Sequence, residues 1–385
     1  MKFINAVLAF SLLVVGGVSA QTPRKPPAPH TSAGTTDHAT YYGAIDVGSK
    51  GTKAALYSFV TDEDGPSPDL LFSQNVNTKL VSSMADGKFT PAGIEDATQA
   101  VTTLIAAINA EAKKRGISVD IFYIVGSSGA AKASNKADLV ASVKQATGIE
   151  MDFIDAAHEG YYGMMSAVPL SRRMNAMYLD IGSGNAKLGC LVGGSSFQNF
   201  KSAEIAYGSV SGRNEALKRS PNDVVAGLDS VMQDVSAAYT KQSLDIPCLR
   251  NRHFIYWSGG ASWATATYTH PERALRGYVP ITRHDLDSFL ASLKDGTWNQ
   301  RAPSFVFPKD MPLTKQAAIK AKALKDRDDV QNVFVREDLL SGDSIMKTVL
   351  ESSNPASFIQ FVRNGNYIYG YALDKYMADA ATGTK

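Results

Sequence analysis

From Pro91 to Arg115 the apolar residues Ile94, Ala97, Val101, Leu104, Ile105 and Ile108 recur at helical spacing, and Gly116 predicts the stop. A short apolar strand is expected over 119–125, running into Gly126-Ser127-Ser128-Gly129. Asn135 opens a second helix through Thr147, closed by Gly148, and 151–154 reads as a further strand. Strands and helices that alternate in this way predict α/β layers. Later segments extend the pattern with strands over 188–192 and 253–256 and a helix over 285–293. The run Tyr367-Ile368-Tyr369-Gly370-Tyr371 places aromatic rings at spacing two, which predicts core packing rather than base stacking. Lys315, Lys320, Lys322 and Lys325 read as a solvated helix face, with guidance of a polyanion as the alternative.

An internal echo organises these elements. Tyr42–Ile45 leads into Asp46-Val47-Gly48-Ser49-Lys50-Gly51-Thr52-Lys53 and then Ala54–Tyr57; Met177–Leu179 leads into Asp180-Ile181-Gly182-Ser183-Gly184-Asn185-Ala186-Lys187 and then Leu188–Leu191. Each copy reads as strand, glycine-rich turn, strand, and the two are 180 − 46 = 134 residues apart. Glycines let backbone N–H groups approach a phosphate, hydroxyls add donors, lysine adds charge, and an Asp at the strand end can hold Mg²⁺ directly or through water. Each copy alone reads better as an ordinary hairpin whose Asp and Ser satisfy the turn. As a pair they favour two loops gripping a phosphate chain, with Gly126–Gly129 as a further donor loop or a plain strand–helix turn.

Composition changes this picture little. Over 385 residues the chain is 44% hydrophobic and 20% charged, which is globular and long enough for two domains. Lys plus Arg (39) less Asp plus Glu (37) leaves +2, too balanced for a nucleic-acid footprint, so an anion must be held locally. The N-terminus adds an address. Lys2, the apolar run 3–15 and Val18-Ser19-Ala20 read as a signal peptide over 1–20, with Gln21 as the mature start and the Pro- and Thr-rich stretch 21–40 as a flexible linker. Export, periplasmic or secreted, is therefore expected, with no membrane span after cleavage. Cys190 and Cys248 allow one disulfide at most, and two separate structural thiols are the expectation.

The two Asp-Gly-Ser loops resemble the phosphate loops of the actin, Hsp70 and sugar-kinase superfamily, and Trp257-Ser258-Gly259-Gly260-Ala261 resembles its third, nucleotide-side glycine motif. The order of pieces is most similar to the exopolyphosphatase and guanosine pentaphosphate phosphohydrolase (Ppx/GppA) family. It rests on Ser127 to Asn135, Thr147-Gly148-Ile149-Glu150, Phe153-Ile154-Asp155 before Glu159, Tyr207-Gly208-Ser209-Val210, and Gly259-Gly260-Ala261-Ser262 with Arg276 to Thr282. Apyrases rank second: Asp46 to Lys53 and His158-Glu159-Gly160-Tyr161-Tyr162-Gly163 resemble two of their conserved regions. Apyrases usually carry more insertions and disulfides.

The resemblance implies two actin-like ATPase (ribonuclease H-like) domains, 41–168 and 169–385, with an interdomain phosphate-binding cleft and a C-terminal helix returning to the first domain. It implies metal-assisted phosphoanhydride hydrolysis with Glu159 as general base, for which the bland alternative is a solvated carboxylate at a helix start. Asp46 and Asp180 would hold Mg²⁺ or Mn²⁺. Gly48, Ser49, Lys50, Gly51, Thr52, Lys53, Ser127, Ser128, Gly182, Ser183, Gly184 and Asn185 would bind phosphate, and Gly259 and Gly260 would form the nucleotide-side loop. The substrate would be polyphosphate or a nucleotide polyphosphate, and a homodimer is open. Several positions depart from the pattern: Lys53 stands for Arg, Ala131 for a phosphate-binding Arg with Lys132 beside it, His158 for an acid, and Lys187 for a Glu or Gln. Lys187 and Ala131 motivate a second class, a phosphate- or nucleotide-binding protein without turnover; a sugar-kinase-like phosphotransferase is the third.

Overall fold

The structure, a computed structural model, describes residues 39–382 apart from 49–50, 63–64, 81–83, 355 and 364. The expected signal peptide, and all but the end of the expected linker, lie outside the described residues. The first half contains β1 (Thr40–Val47), β2 (Gly51–Asp62), β3 (Gly65–Asn77), α1 (Pro91–Arg115), β4 (Ile121–Gly126), α2 (Lys136–Thr147), β5 (Met151–Phe153) and α3 (Ala156–Ala167). The second contains β6 (Ala176–Ile181), β7 (Ala186–Leu191), β8 (Phe200–Ile205), α4 (Ser209–Arg219), α5 (Val224–Asp245), α6 (Cys248–Asn251), β9 (Phe254–Gly259) and α7 (Gly260–Thr269). It continues through β10 (Tyr278–Ile281), α8 (Arg283–Lys294), α9 (Leu313–Val333), α10 (Arg336–Glu351) and β11 (Phe358–Val362) to α11 (Tyr367–Thr382).

The echo seen in the sequence is an echo of topology. One sheet runs β3-β2-β1-β4-β5; the other runs β8-β7-β6-β9-β11 with β10 added at its edge. In both, the opening hairpin is antiparallel and its first strand pairs in parallel with the strand that follows the crossover. The register is also shared: Asp46 lies opposite Lys53, and Asp180 opposite Lys187. Even the turns match, for Gly48 N–H donates to Gly51 C=O and Gly182 N–H to Asn185 C=O, each at 3.0 Å.

Strand alternation divides the side chains among three cores. Ile45, Val47, Ala54 and Leu56 pack on α1 and α2. Met177, Leu179 and Ile181 pack with the outer helices of the second half. Between the sheets lies a tyrosine-rich layer in which Tyr42, Tyr57, Tyr178 and Tyr256 meet Tyr161 and Tyr162 of α3 and Tyr367, Tyr371 and Tyr376 of α11. Their hydroxyls reach acids of the same layer: Tyr42 donates to Asp379 and Tyr162 to Asp374, each at 3.0 Å. The C-terminal helix thus returns to the first half, against α3 and β1.

The helix-end readings hold. Thr90 caps α1 by accepting from Gly93 N–H, and Gly116 and Gly148 close α1 and α2 in the left-handed conformation with φ of 70° and 73°. Two expectations change. The aromatic run at 367–371 is the first turns of α11, so Tyr367, Ile368, Tyr371 and Ala372 follow helical spacing into the central layer. The period-two reading took too short a window, in which alternation and the helical three/four spacing share members. Cys190 and Cys248 form a disulfide rather than two thiols, because α6 passes over the outer face of β7 and brings their Cα atoms to 6.2 Å. Its loop of 58 residues corresponds to roughly 4 kcal/mol of chain entropy removed from the unfolded state. Among the described residues, no helix is long and apolar enough to cross a membrane.

Candidate active site

Alternation also places the chemistry. On β1 and β6 the positions of Tyr42, Ala44, Ala176 and Tyr178 face the central layer, so Asp46 and Asp180 face it as well. Lys53 and Lys187 share that face on the partner strands. Thr52 has the parity of Ala54 and Leu56 and is buried on the α1 side, where its hydroxyl has no hydrogen-bond partner among the described residues. Ser49 and Lys50 lie outside the described residues.

Glu159 enters from α3. Asp155 caps that helix by accepting from His158 N–H at 2.8 Å, and His158 turns outward to stack on Phe197 with ring centroids 4.0 Å apart. Glu159, one residue on, turns inward and is only 5% exposed, so it is not the solvated carboxylate of the bland reading. Its Oε2 accepts from Ser128 N–H at 2.7 Å and its Oε1 from Lys187 Nζ at 2.7 Å. Lys187 Nζ is also 2.9 Å from Asp180 Oδ2. Asp180 Oδ1 accepts from Ser258 at 3.1 Å, and Ser258 Oγ is 2.6 Å from the Tyr178 hydroxyl. One ammonium therefore joins a carboxylate of the first half to one of the second.

The charges follow from these partners. Burial alone would push the Lys187 ammonium down, but Asp180 and Glu159 outweigh it and hold it well above the ordinary lysine range. Burial would likewise raise the Asp180 carboxyl, and Lys187 with Ser258 keeps it below the usual range. Asp46 has no such partner. Burial pushes its pKa from 3.8 up to about 6, against the opposing pull of Lys53 and the hydrogen bond from Tyr367, whose hydroxyl donates to Asp46 Oδ1 at 2.6 Å. Sequence reasoning missed Tyr367, since nothing local ties the last helix to the first strand.

The loops around this cluster are braced. Gly182, Ser183 and Gly184 carbonyls accept from Ser209 N–H, from Val210 and Ser211 N–H, and from the Ser211 hydroxyl. The start of α4 is therefore consumed by the loop, and the Ser183 and Gly184 amides are not used in these bonds. Asn185 is turned aside, with Nδ2 donating to Glu204 at 2.7 Å; Lys132 reaches the same Glu204 oxygen at 2.8 Å from the first half. Ser127 spends its amide on Val47 C=O and its hydroxyl accepts from Ala130 N–H. Ser128 differs: its hydroxyl is buried beside Glu159 and has no hydrogen-bond partner among the described residues. Gly259 has φ of 101°, and a Cβ there would stand 2.4 Å from Ile181 C=O. Gly260 lies under the Phe334 ring, 2.2 Å from where its Cβ would be. Both glycines thus have packing reasons.

These residues do not fit a divalent ion held by Asp46 and Asp180. The Lys187 ammonium fills the place between Asp180 and Glu159, Asp46 is bound to Tyr367, and among the described residues no three His, Cys, Asp or Glu side chains converge.

Two halves of one topology, facing each other across a shared layer with a carboxylate at each opening hairpin, make an actin-like α/β fold. Within that class the fold is that of Ppx/GppA structures. The Aquifex aeolicus Ppx/GppA family member matches with a TM-score of 0.61 and 13% identity over 89% of this chain and 99% of its own. An exopolyphosphatase-like protein matches at 0.62 and 15% identity, over 88% and 98% of the two chains. An exopolyphosphatase from Cytophaga hutchinsonii matches at 0.56 and 15%, over 86% and 96%. No protein-family model matches the sequence, and no curated protein matches it significantly.

Ionising Asp46 in the folded state costs roughly 3 kcal/mol at pH 7 relative to the unfolded chain, a cost that is absent below about pH 4. Asp46→Asn is accordingly expected to raise unfolding stability at pH 7 by about 1–3 kcal/mol, with the gain shrinking to nothing as pH falls to about 4. Denaturant titrations across that range check it, and a gain that does not vary with pH would contradict the assignment.

Proposed function

We propose that the protein is an exported phosphohydrolase that releases terminal phosphate from an inorganic polyphosphate, with Glu159 as the base. The observation that carries this reading is a buried carboxylate at the junction of the two halves, beside the orphaned Ser128 hydroxyl and the second glycine loop. A carboxylate has about four acceptor positions, so the bonds from Ser128 and Lys187 leave lone pairs for a water. That water attacks the terminal phosphorus and gives its proton to Glu159. The bond from phosphorus to the bridging oxygen breaks, and the shortened chain leaves with the electron pair. Lys53, close enough to favour ionisation of both Asp46 and Asp180, and Lys187 supply positive charge at this point.

The solved exopolyphosphatase and the exopolyphosphatase-like protein of the same fold support the substrate class. The Phe334 ring over Gly260 favours a linear polyphosphate over a nucleotide, because a base and ribose would compete with it at that loop. The expected Mg²⁺ or Mn²⁺ at Asp46 and Asp180 is not carried into this reading. Export draws support from the disulfide, which persists in oxidising compartments. A mature chain starting at Gln21, read by mass spectrometry of the exported protein, is the expected outcome; an intact Met1 start would contradict it.

A second reading has its own support. The bond from Lys187 to Glu159 is what a phosphate-binding protein without turnover would show. Phosphate release from tripolyphosphate, ATP, ADP and pppGpp separates the two. Hydrolysis is expected to be fastest on tripolyphosphate and to fall about 100-fold or more in Glu159→Gln. An unchanged rate in that variant contradicts the role of Glu159, and tight binding with no release favours the binding protein.

A further inference from the structure

The equivalent lysines of the two hairpins have different fates. Lys53, opposite Asp46, is exposed. Lys187, opposite Asp180, is 4% exposed and reaches across the interface to Glu159. Its stem is packed as well as its head, for a Cβ on Gly160 of α3 would lie 3.9 Å from Lys187 Cβ. Two of its three N–H groups are taken by Glu159 and Asp180. Beside the ammonium is the Cα of Gly182, where an added Cβ would stand 3.3 Å from Nζ. A side chain at 182 would crowd that side of the ammonium, which glycine leaves uncrowded.

We propose that Lys187 is the site's own cation, so that a phosphoanhydride is bound and hydrolysed here without a divalent ion. This rests on the phosphohydrolase reading for turnover, but the binding half stands apart from it. A divalent ion needs oxygen ligands at about 2.0–2.6 Å, and the inward oxygens of Asp180 and Glu159 are already occupied by a buried positive charge. Adding a second cation to the same two oxygens sets like charges side by side with little water between them. Lysine instead offers a point charge and a donor to a phosphoryl oxygen, a use lysine has in other phosphate sites. Because Asp180 and Glu159 hold it from opposite halves, the ammonium is oriented before substrate arrives.

The test uses the full mature protein. Free Mn²⁺ is followed by electron paramagnetic resonance, tripolyphosphate binding by calorimetry in EDTA, and phosphate release with and without EDTA. Wild type is expected to leave the Mn²⁺ signal unchanged, to bind tripolyphosphate in EDTA, and to hydrolyse it at a rate altered less than about 2-fold by the chelator. Lys187→Met is expected to weaken tripolyphosphate binding about 10-fold or more, and Lys187→Glu to take up Mn²⁺ and to require it. The wild-type measurements need no variant, so misfolding of either substitution leaves the test intact. Mn²⁺ uptake by wild type, or loss of tripolyphosphate binding in EDTA, overturns the proposal. Chelator-resistant binding without release under any condition supports the cation role of Lys187 and overturns the hydrolase reading instead.

Discussion

Lys187 ties Glu159 of α3 to Asp180 of β6 in a space from which water is nearly excluded, and the contact joins the two halves of the chain. Burying an ion pair is weak support for stability, because desolvation offsets most of the attraction; removing one partner is far costlier, since it strands a charge. The interaction is therefore better understood as a constraint on geometry. It fixes how the start of α3 meets β6 and β7, and it places Ser128, bound to the other oxygen of Glu159, at the same point. The tyrosine layer around it completes the constraint by giving the buried acids neutral donors, as Tyr367 does for Asp46 and Ser258 for Asp180.

The repeated fold explains why such a point exists. Two sheets of one strand order, each opening with an Asp-first hairpin, present their carboxylates to a common layer. Two such hairpins bring several carboxylates into one layer. The halves have diverged in how they answer this: one leaves its lysine exposed and its aspartate with a raised pKa, and the other buries its lysine among the acids. Lys132, Asn185 and Glu204 add an outer clasp between the halves.

Much of this was legible from local chemistry. The echo at Asp46 and Asp180 and the caps at Gly116 and Gly148 depend on turns and helix ends, whereas Glu159 was marked by the family resemblance and its inward turn was not legible in the residues around it. What escaped was non-local. The Cys190–Cys248 pairing depends on where α6 crosses β7, and Tyr367 meets Asp46 across most of the chain length. Period two in 367–371 was a helix seen through too narrow a window. The lysine at 187 was visible as a departure, and a cation able to bind phosphate was legible there. Its reach to an acid of the other half was not, because that depends on α3 lying against β7.

The central claim is that a protein ammonium, and not a metal ion, occupies the meeting point of the two halves. Anomalous diffraction at the manganese edge, from crystals grown with tripolyphosphate and Mn²⁺, tests it most directly. The account predicts a phosphoryl group within hydrogen-bond reach of Ser128 and Lys187, with no manganese peak between Asp180 and Glu159. A manganese peak bound by those two carboxylates, with the Lys187 side chain swung away, would contradict it.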